Sequence, residues 1–161
     1  MVIHTFGDSH SSNGWDSNIE KHHLGPILAY SLGKEKLNRC NISNYNIKNG
    51  DTIIFCFGEI DCRCHVHKHI NQTFTYENII DDIILNYFET IKLNVTVSQL
   101  NFKNVCVYNV VPPVKNPIKF YDAFGIEPFP HLGSCEERKK YTLYFNKKLK
   151  EKCLENNYIF F

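Results

Sequence analysis

Thr52 to Phe57 reads Thr-Ile-Ile-Phe-Cys-Phe, a nearly continuous apolar run directly behind an Asn-Gly-Asp turn. A strand with one wet face alternates apolar and polar residues. A strand without that alternation is buried on both faces, which is the habit of parallel sheets covered by helices. Val105 to Val111 is a second such run, stopped by Pro112-Pro113. Between the two, Ile79, Ile80, Ile83, Ile84, Tyr87, Phe88 and Ile91 recur at three and four, which predicts a long helix over 76–100.

The rest of the chain continues the alternation. Val2 to Phe6 reads as a short strand ended by Gly7, and a polar loop runs from Asp8 through Trp15. Leu24, Ile27, Leu28 and Leu32 predict a helix over 22–32, with Gly33 as its stop. Residues 40–48 are ambiguous and leave room for a short edge strand. A proline-rich loop leads to Ser134, a helix cap followed by Glu136 and Glu137 in the first turn, where the helix dipole favours acids. Tyr158 to Phe161 is a last strand. Strands and helices in turn predict an α/β fold with a central parallel sheet. No repeat, linker or break in composition divides it, so a single domain over 1–161 is expected.

Charge excludes some function classes. The formal net charge is +1, from 18 Lys+Arg against 17 Asp+Glu, which gives no global field for nucleic acid or an acidic membrane surface. The basic residues after Arg138 are interleaved with Glu along one helix and read as a solvated face. Seven Cys is an odd number, and Cys56 and Cys106 sit inside apolar runs. They read as buried reduced thiols, and with no signal-peptide pattern the expectation is an intracellular, reducing location. The N-x-[ST] matches at Asn41, Asn71 and Asn94 read as chance in an Asn-rich chain.

Two polar loops follow predicted strands, where α/β folds place their chemistry. The first is Phe6-Gly7-Asp8-Ser9-His10-Ser11. A tight turn at a strand end can expose a Ser hydroxyl and aim backbone N–H groups at a developing oxyanion, although Gly-Asp-Ser is also an ordinary turn and cap. The second is Gly58-Glu59-Ile60-Asp61-Cys62-Arg63. Alternation in an extended segment would turn Glu59 and Asp61 to one side, and Arg63 could grip a carboxylate or simply form an ion pair that fixes the loop.

Together the two motifs resemble the SGNH/GDSL hydrolase superfamily. Gly7-Asp8-Ser9 matches its nucleophile motif, and Gly58-Glu59-Ile60-Asp61 is similar to its Gly-x-Asn-Asp motif. The form Gly-Glu-Ile-Asp-Cys-Arg is similar to SGNH-like proteins found beside glycan-modifying genes in bacteria and in large amoeba viruses. Residues 129–149, with Leu132-Gly133-Ser134, Glu137-Arg138 and Asn146, share that likeness. The resemblance implies a three-layer α/β/α flavodoxin-like sandwich and ester hydrolysis or acyl transfer without a cofactor. It implies Ser9 as nucleophile, its own N–H as one oxyanion donor and a loop Gly, here Gly25, as another. Asp61 and Arg63 would shape the pocket, with Asp8, His10, Glu59 and His65 beside the substrate.

The sequence departs from the family twice. Ile60 stands where the third oxyanion donor, Asn, belongs. The family's catalytic Asp-x-x-His follows its last strand, and none occurs near the end of this chain, so a domain truncated at its C-terminus is expected. His131 and His65 are then the candidate bases. Cys62, Cys64, His65, His67 and His69 have zinc-ligand chemistry but crowd into one short segment, so no metal site is assigned.

The resulting expectation is a serine esterase or O-acyltransferase acting on an acylated carbohydrate or small ester. The alternatives are a catalytically inactive binding module and, more weakly, a Cys/His metal-binding protein. An exposed edge strand would favour self-association.

Overall fold

A computed structural model describes residues 1–115, 119 and 121–161. Part of the proline-rich loop, at 116–118 and 120, lies outside the described residues. The strands are β1 (Ile3–Gly7), β2 (Ile19–His23), β3 (Thr52–Cys56), β4 (Asn104–Val107) and β5 (Ile159–Phe160). The helices are α1 (Ala29–Glu35), α2 (Val66–His69), α3 (Tyr76–Ser98) and α4 (Cys135–Glu155). All five strands are parallel, in the order β2-β1-β3-β4-β5. The class is therefore α/β with a central parallel sheet and flanking helices, as the alternating elements predict.

Residues on β3 show why the run at 52–57 is apolar throughout. Ile53 and Phe55 pack into the large core with Phe6, Val107 and the inner faces of α1, α3 and α4. Ile54 and Cys56 point the other way and meet Cys106, with Ile3, Trp15 and Tyr108 packed over them. The period of two along a strand thus feeds two separate clusters. Six of the seven cysteines are buried, and burial pushes the Cys40 thiol up to about 12 and Cys106 to about 11.

Local signals set both long helices. Thr75 caps α3 and Ser134 caps α4, each closing a reciprocal box with the third helical residue, Asn78 and Glu137. Glu137 N–H donates to Ser134 Oγ at 3.2 Å, and Ser134 N–H donates to Glu137 Oε2 at 2.7 Å.

Two expectations fail, and the ambiguous stretch at 40–48 is resolved, for tertiary reasons. The helix expected over 22–32 is instead strand β2 followed by α1. Five residues of β2 pair with β1, His22 stacks on Phe6, and Gly25 at φ +92° with Pro26 separates strand from helix. Residues 40–48 hold a short 3-10 turn, Ile42–Asn44, and no strand; buried Asn94 on α3 draws it in by accepting from Ile42 N–H at 2.9 Å. Glu59 to Asp61 is helical, with Ile60 at φ −63° and ψ −35°, and continues as a π-turn over Asp61–His65. Gly58 at φ +119° swings the chain off β3 into that turn.

Candidate active site

The strand order 2-1-3-4-5 is that of flavodoxin-like sheets, which bind ligands at the carboxyl ends where the order reverses, between β1 and β3. The Gly7-Asp8-Ser9 turn leaves β1 there, and the Gly58 turn leaves β3 beside it. Asp8 N–H donates to the Cys56 carbonyl at 3.4 Å, which ties the two exits together.

Ser9 opens a 3-10 turn, Ser9–Ser11, and is exposed. As the first residue of the turn, its N–H lies outside the turn's own ladder and is free for a ligand. Asp8, 2% exposed, caps the turn: its Oδ1 accepts from His10 N–H at 2.9 Å. The same oxygen lies 3.0 Å from His10 Nδ1. Behind them, Ser11 is buried with its hydroxyl donating to Asp8 O at 2.8 Å, and Trp15 Nε1 donates to His10 O at 2.7 Å. Ser9 and His10 are thus neighbours in a tight turn.

The Asp8 carboxylate can only accept, so Nδ1 of His10 carries a proton and Nε2 is left as the acceptor. The hydrogen bond to Asp8 raises the His10 pKa above the ordinary value against the opposing effect of burial. Asp8 Oδ2 is buried without a hydrogen-bond partner among the described residues. Asp8, His10, Phe57, Glu59, Tyr108 and Asn109 line one cleft. Burial raises the Glu59 pKa, although Arg63 Nη2 lies 3.4 Å from its Oε2.

Asp61 does not face this cleft. It is fully buried, and its two oxygens accept from Ala29 N–H at 2.7 Å and Tyr30 N–H at 3.1 Å. It caps α1 from across the sequence and is withheld from substrate. Burial lifts its carboxyl to about 7 in spite of those donors. A carboxyl raised from 3.8 binds more protons folded than unfolded across that interval, so this group's share of stability is full below about pH 4 and is lost as pH rises towards 7. Asp61→Asn should flatten that dependence. Urea unfolding of both proteins at pH 4.5 and 7.5 checks it: an unchanged slope between the two pH values would contradict the assignment.

The remaining sequence candidates separate. Gly25 lies in the loop directly after β2, at the same end of the sheet as Ser9, with Leu24 N–H donating to Gly7 O at 2.8 Å. His131 lies in a compartment next to the Asp8–His10 cleft, with Arg63 and Arg138. His65 lies elsewhere, its ring tilted against those of Tyr30 and His69 at 4.2 and 4.3 Å, and burial lowers its pKa to about 4. No three His, Cys, Asp or Glu side chains converge for a metal among the described residues. Cys62 and Cys64 are buried, and His67 Nδ1 lies 3.1 Å from the Tyr141 hydroxyl.

Two residues escaped the sequence reading. Asn109 follows β4 and is the one amide residue among the described residues that line the cleft. Arg138, named from the sequence only as part of the family likeness and given no role, is 5% exposed. Only the turn Ser134-x-x-Glu137 next to it hinted that this end of α4 is packed rather than free. No helix among the described residues is long and apolar enough to cross a membrane.

No family model matches the chain, and no curated protein matches it. Solved structures do. A gut microbial diltiazem-metabolizing enzyme superposes with a TM-score of 0.56 at 11% identity, over 99% of this chain and 36% of that one. A catalytic mutant of an acetylxylan esterase from Geobacillus stearothermophilus superposes with a TM-score of 0.51 at 12% identity, over 98% of this chain and 74% of that one. The chain shares with these neighbours an α/β fold built on a central parallel sheet. It spans about a third of the length of the first of these neighbours.

Proposed function

We propose that the chain is an SGNH-type serine esterase or O-acyltransferase acting on an acylated carbohydrate or another small ester. The observation that carries this is Ser9, exposed at the switch point of the sheet and flanked by a hydrogen-bonded Asp8–His10 pair. The fold shared with an acetylxylan esterase supports the acyl-ester chemistry.

Ser9 Oγ attacks the acyl carbon and its proton passes to Nε2 of His10. Asp8 keeps the imidazole in the required tautomer and stabilises the imidazolium that forms. The Ser9 and Gly25 N–H groups hold the oxyanion, and the Asn109 amide supplies the side-chain donor that buried Ile60 cannot. Collapse of the tetrahedral intermediate returns the proton from His10 to the leaving alkoxide. Water, or a sugar hydroxyl in a transferase, then resolves the acyl-enzyme by the same route.

Hydrolysis of a short-chain aryl ester across pH tests this. A general base must be neutral, so kcat/KM should climb with pH through a pKa above that of ordinary His, and His10→Gln should remove that limb and about a hundredfold or more of the rate. A wild type that is inert at every pH would sink the proposal, and an unchanged profile in His10→Gln would remove His10 from it.

A further inference from the structure

Three buried nitrogens without partners meet in one place. Arg63 Nε, His131 Nδ1 and Arg138 Nε each lack a hydrogen-bond partner among the described residues, and all three side chains line the same compartment. Buried polar groups are satisfied in the great majority of cases, by protein, water or ligand, so three together mark a place for a polar occupant. The arginines are fixed in position. Arg138 Nη1 donates to Gly133 O at 2.6 Å and Nη2 to Val114 O at 3.1 Å, leaving Nε turned inward. Arg63 is paired with Glu59 at 3.4 Å, and its own carbonyl accepts from Leu132 N–H at 2.9 Å.

The field in the compartment is positive. Two guanidiniums line it, whereas burial works against the charge of Glu59. His131 registers the field: after burial, Arg63 and Arg138 are the next causes holding its pKa below the ordinary value. A neutral His131 can present Nδ1–H as a third donor. The described cavity is about 10 Å³, room for one water-sized group. A single carboxylate oxygen fits that room, accepts from several donors at once and brings the compensating charge. Glu59, Val110 and Val111 form a shared wall with the cleft of Asp8 and His10, the two residues on either side of Ser9, so an occupant here adjoins that cleft.

We propose that Arg63, His131 and Arg138 form a carboxylate subsite, which rests on the Ser9 reading and narrows its substrate to esters of an acid-bearing molecule, an acidic sugar among them. Formate is the probe for the subsite alone. At constant ionic strength, sodium formate should raise the melting temperature along a saturating curve where sodium chloride does not. Arg63→Gln should weaken formate binding by about tenfold or more. Arg63→Lys, which keeps the charge without the Nε–H, should fall between the two and guards against a folding defect.

The activity arm compares two aryl acetates that differ only in carrying a carboxylate or a carboxamide on the leaving group. Wild type should favour the carboxylate about tenfold in kcat/KM, and Arg63→Gln should not. Ester turnover without that preference, together with formate behaving as chloride, would overturn the subsite and leave Ser9 standing, with water as the occupant of the compartment. Saturable formate binding without any ester turnover would support the subsite and strike the Ser9 reading instead.

Discussion

Ser9→Ala should lower kcat towards a short-chain aryl ester by about a thousandfold or more while the protein melts at the same temperature. The size of the loss follows from the role: without the hydroxyl no acyl-enzyme forms, and only binding and oxyanion donors remain. The unchanged stability follows from the structure. Ser9 is exposed, and its backbone carbonyl, which accepts from Ser12 and Asn13 N–H, is kept in the variant. The hydroxyl makes no hydrogen bond among the described residues, so its removal orphans no partner. Steady-state kinetics beside a thermal melt separate the outcomes. Retained turnover would dismiss Ser9, and a large fall in melting temperature would make it a structural cap.

Gly7→Ala should abolish folding or nearly so. A Cβ at residue 7 would overlap the carbonyl oxygen of Cys56 and stand 2.8 Å from its carbonyl carbon. Gly7 and Cys56 are partners in the β1–β3 ladder, at the centre of the sheet, and neither backbone can withdraw without opening it. Overpacking in a core costs about 1–3 kcal/mol when side chains yield; a backbone clash lies at the upper end or beyond, against a total stability of about 5–15 kcal/mol. Gly14 is the comparison: at φ +80° with no atom within 4 Å of an added Cβ, its Ala variant should cost only the strain of the backbone, about 1 kcal/mol. Urea denaturation of both variants checks the contrast, and a Gly7→Ala protein as stable as Gly14→Ala would contradict the packing described for the turn.

What could be read from the sequence was what neighbours in sequence decide. The doubly buried run at 52–57, the three-and-four spacing of α3 and the Ser134–Glu137 box of α4 are local patterns, and each appears in the structure at its place. The Gly-Asp-Ser turn was legible because Gly7 ends a strand that carries it to the centre of the sheet. β2 was not, because Ile-Glu-Lys-His-His has little strand pattern of its own and is made a strand by its pairing with β1. Asp61 was misplaced for the same kind of reason. Its partners are the N–H groups of Ala29 and Tyr30, about thirty residues away, and nothing near Asp61 announces them. Arg138 had no role in the sequence reading because its partners, the carbonyls of Gly133 and Val114, are set by the fold around the start of α4. The Asp8–His10 pair needed the turn geometry, since an extended chain would have sent the two side chains apart from Ser9.

The central claim is that Ser9 is an activated nucleophile, and mass spectrometry after exposure to an aryl fluorophosphonate tests it most directly. The account predicts one phosphonyl adduct per chain, mapped to Ser9 in the peptide that follows β1, slowed in His10→Gln and absent in Ser9→Ala. An unmodified Ser9 in a folded protein, or an adduct that persists in Ser9→Ala, would contradict it.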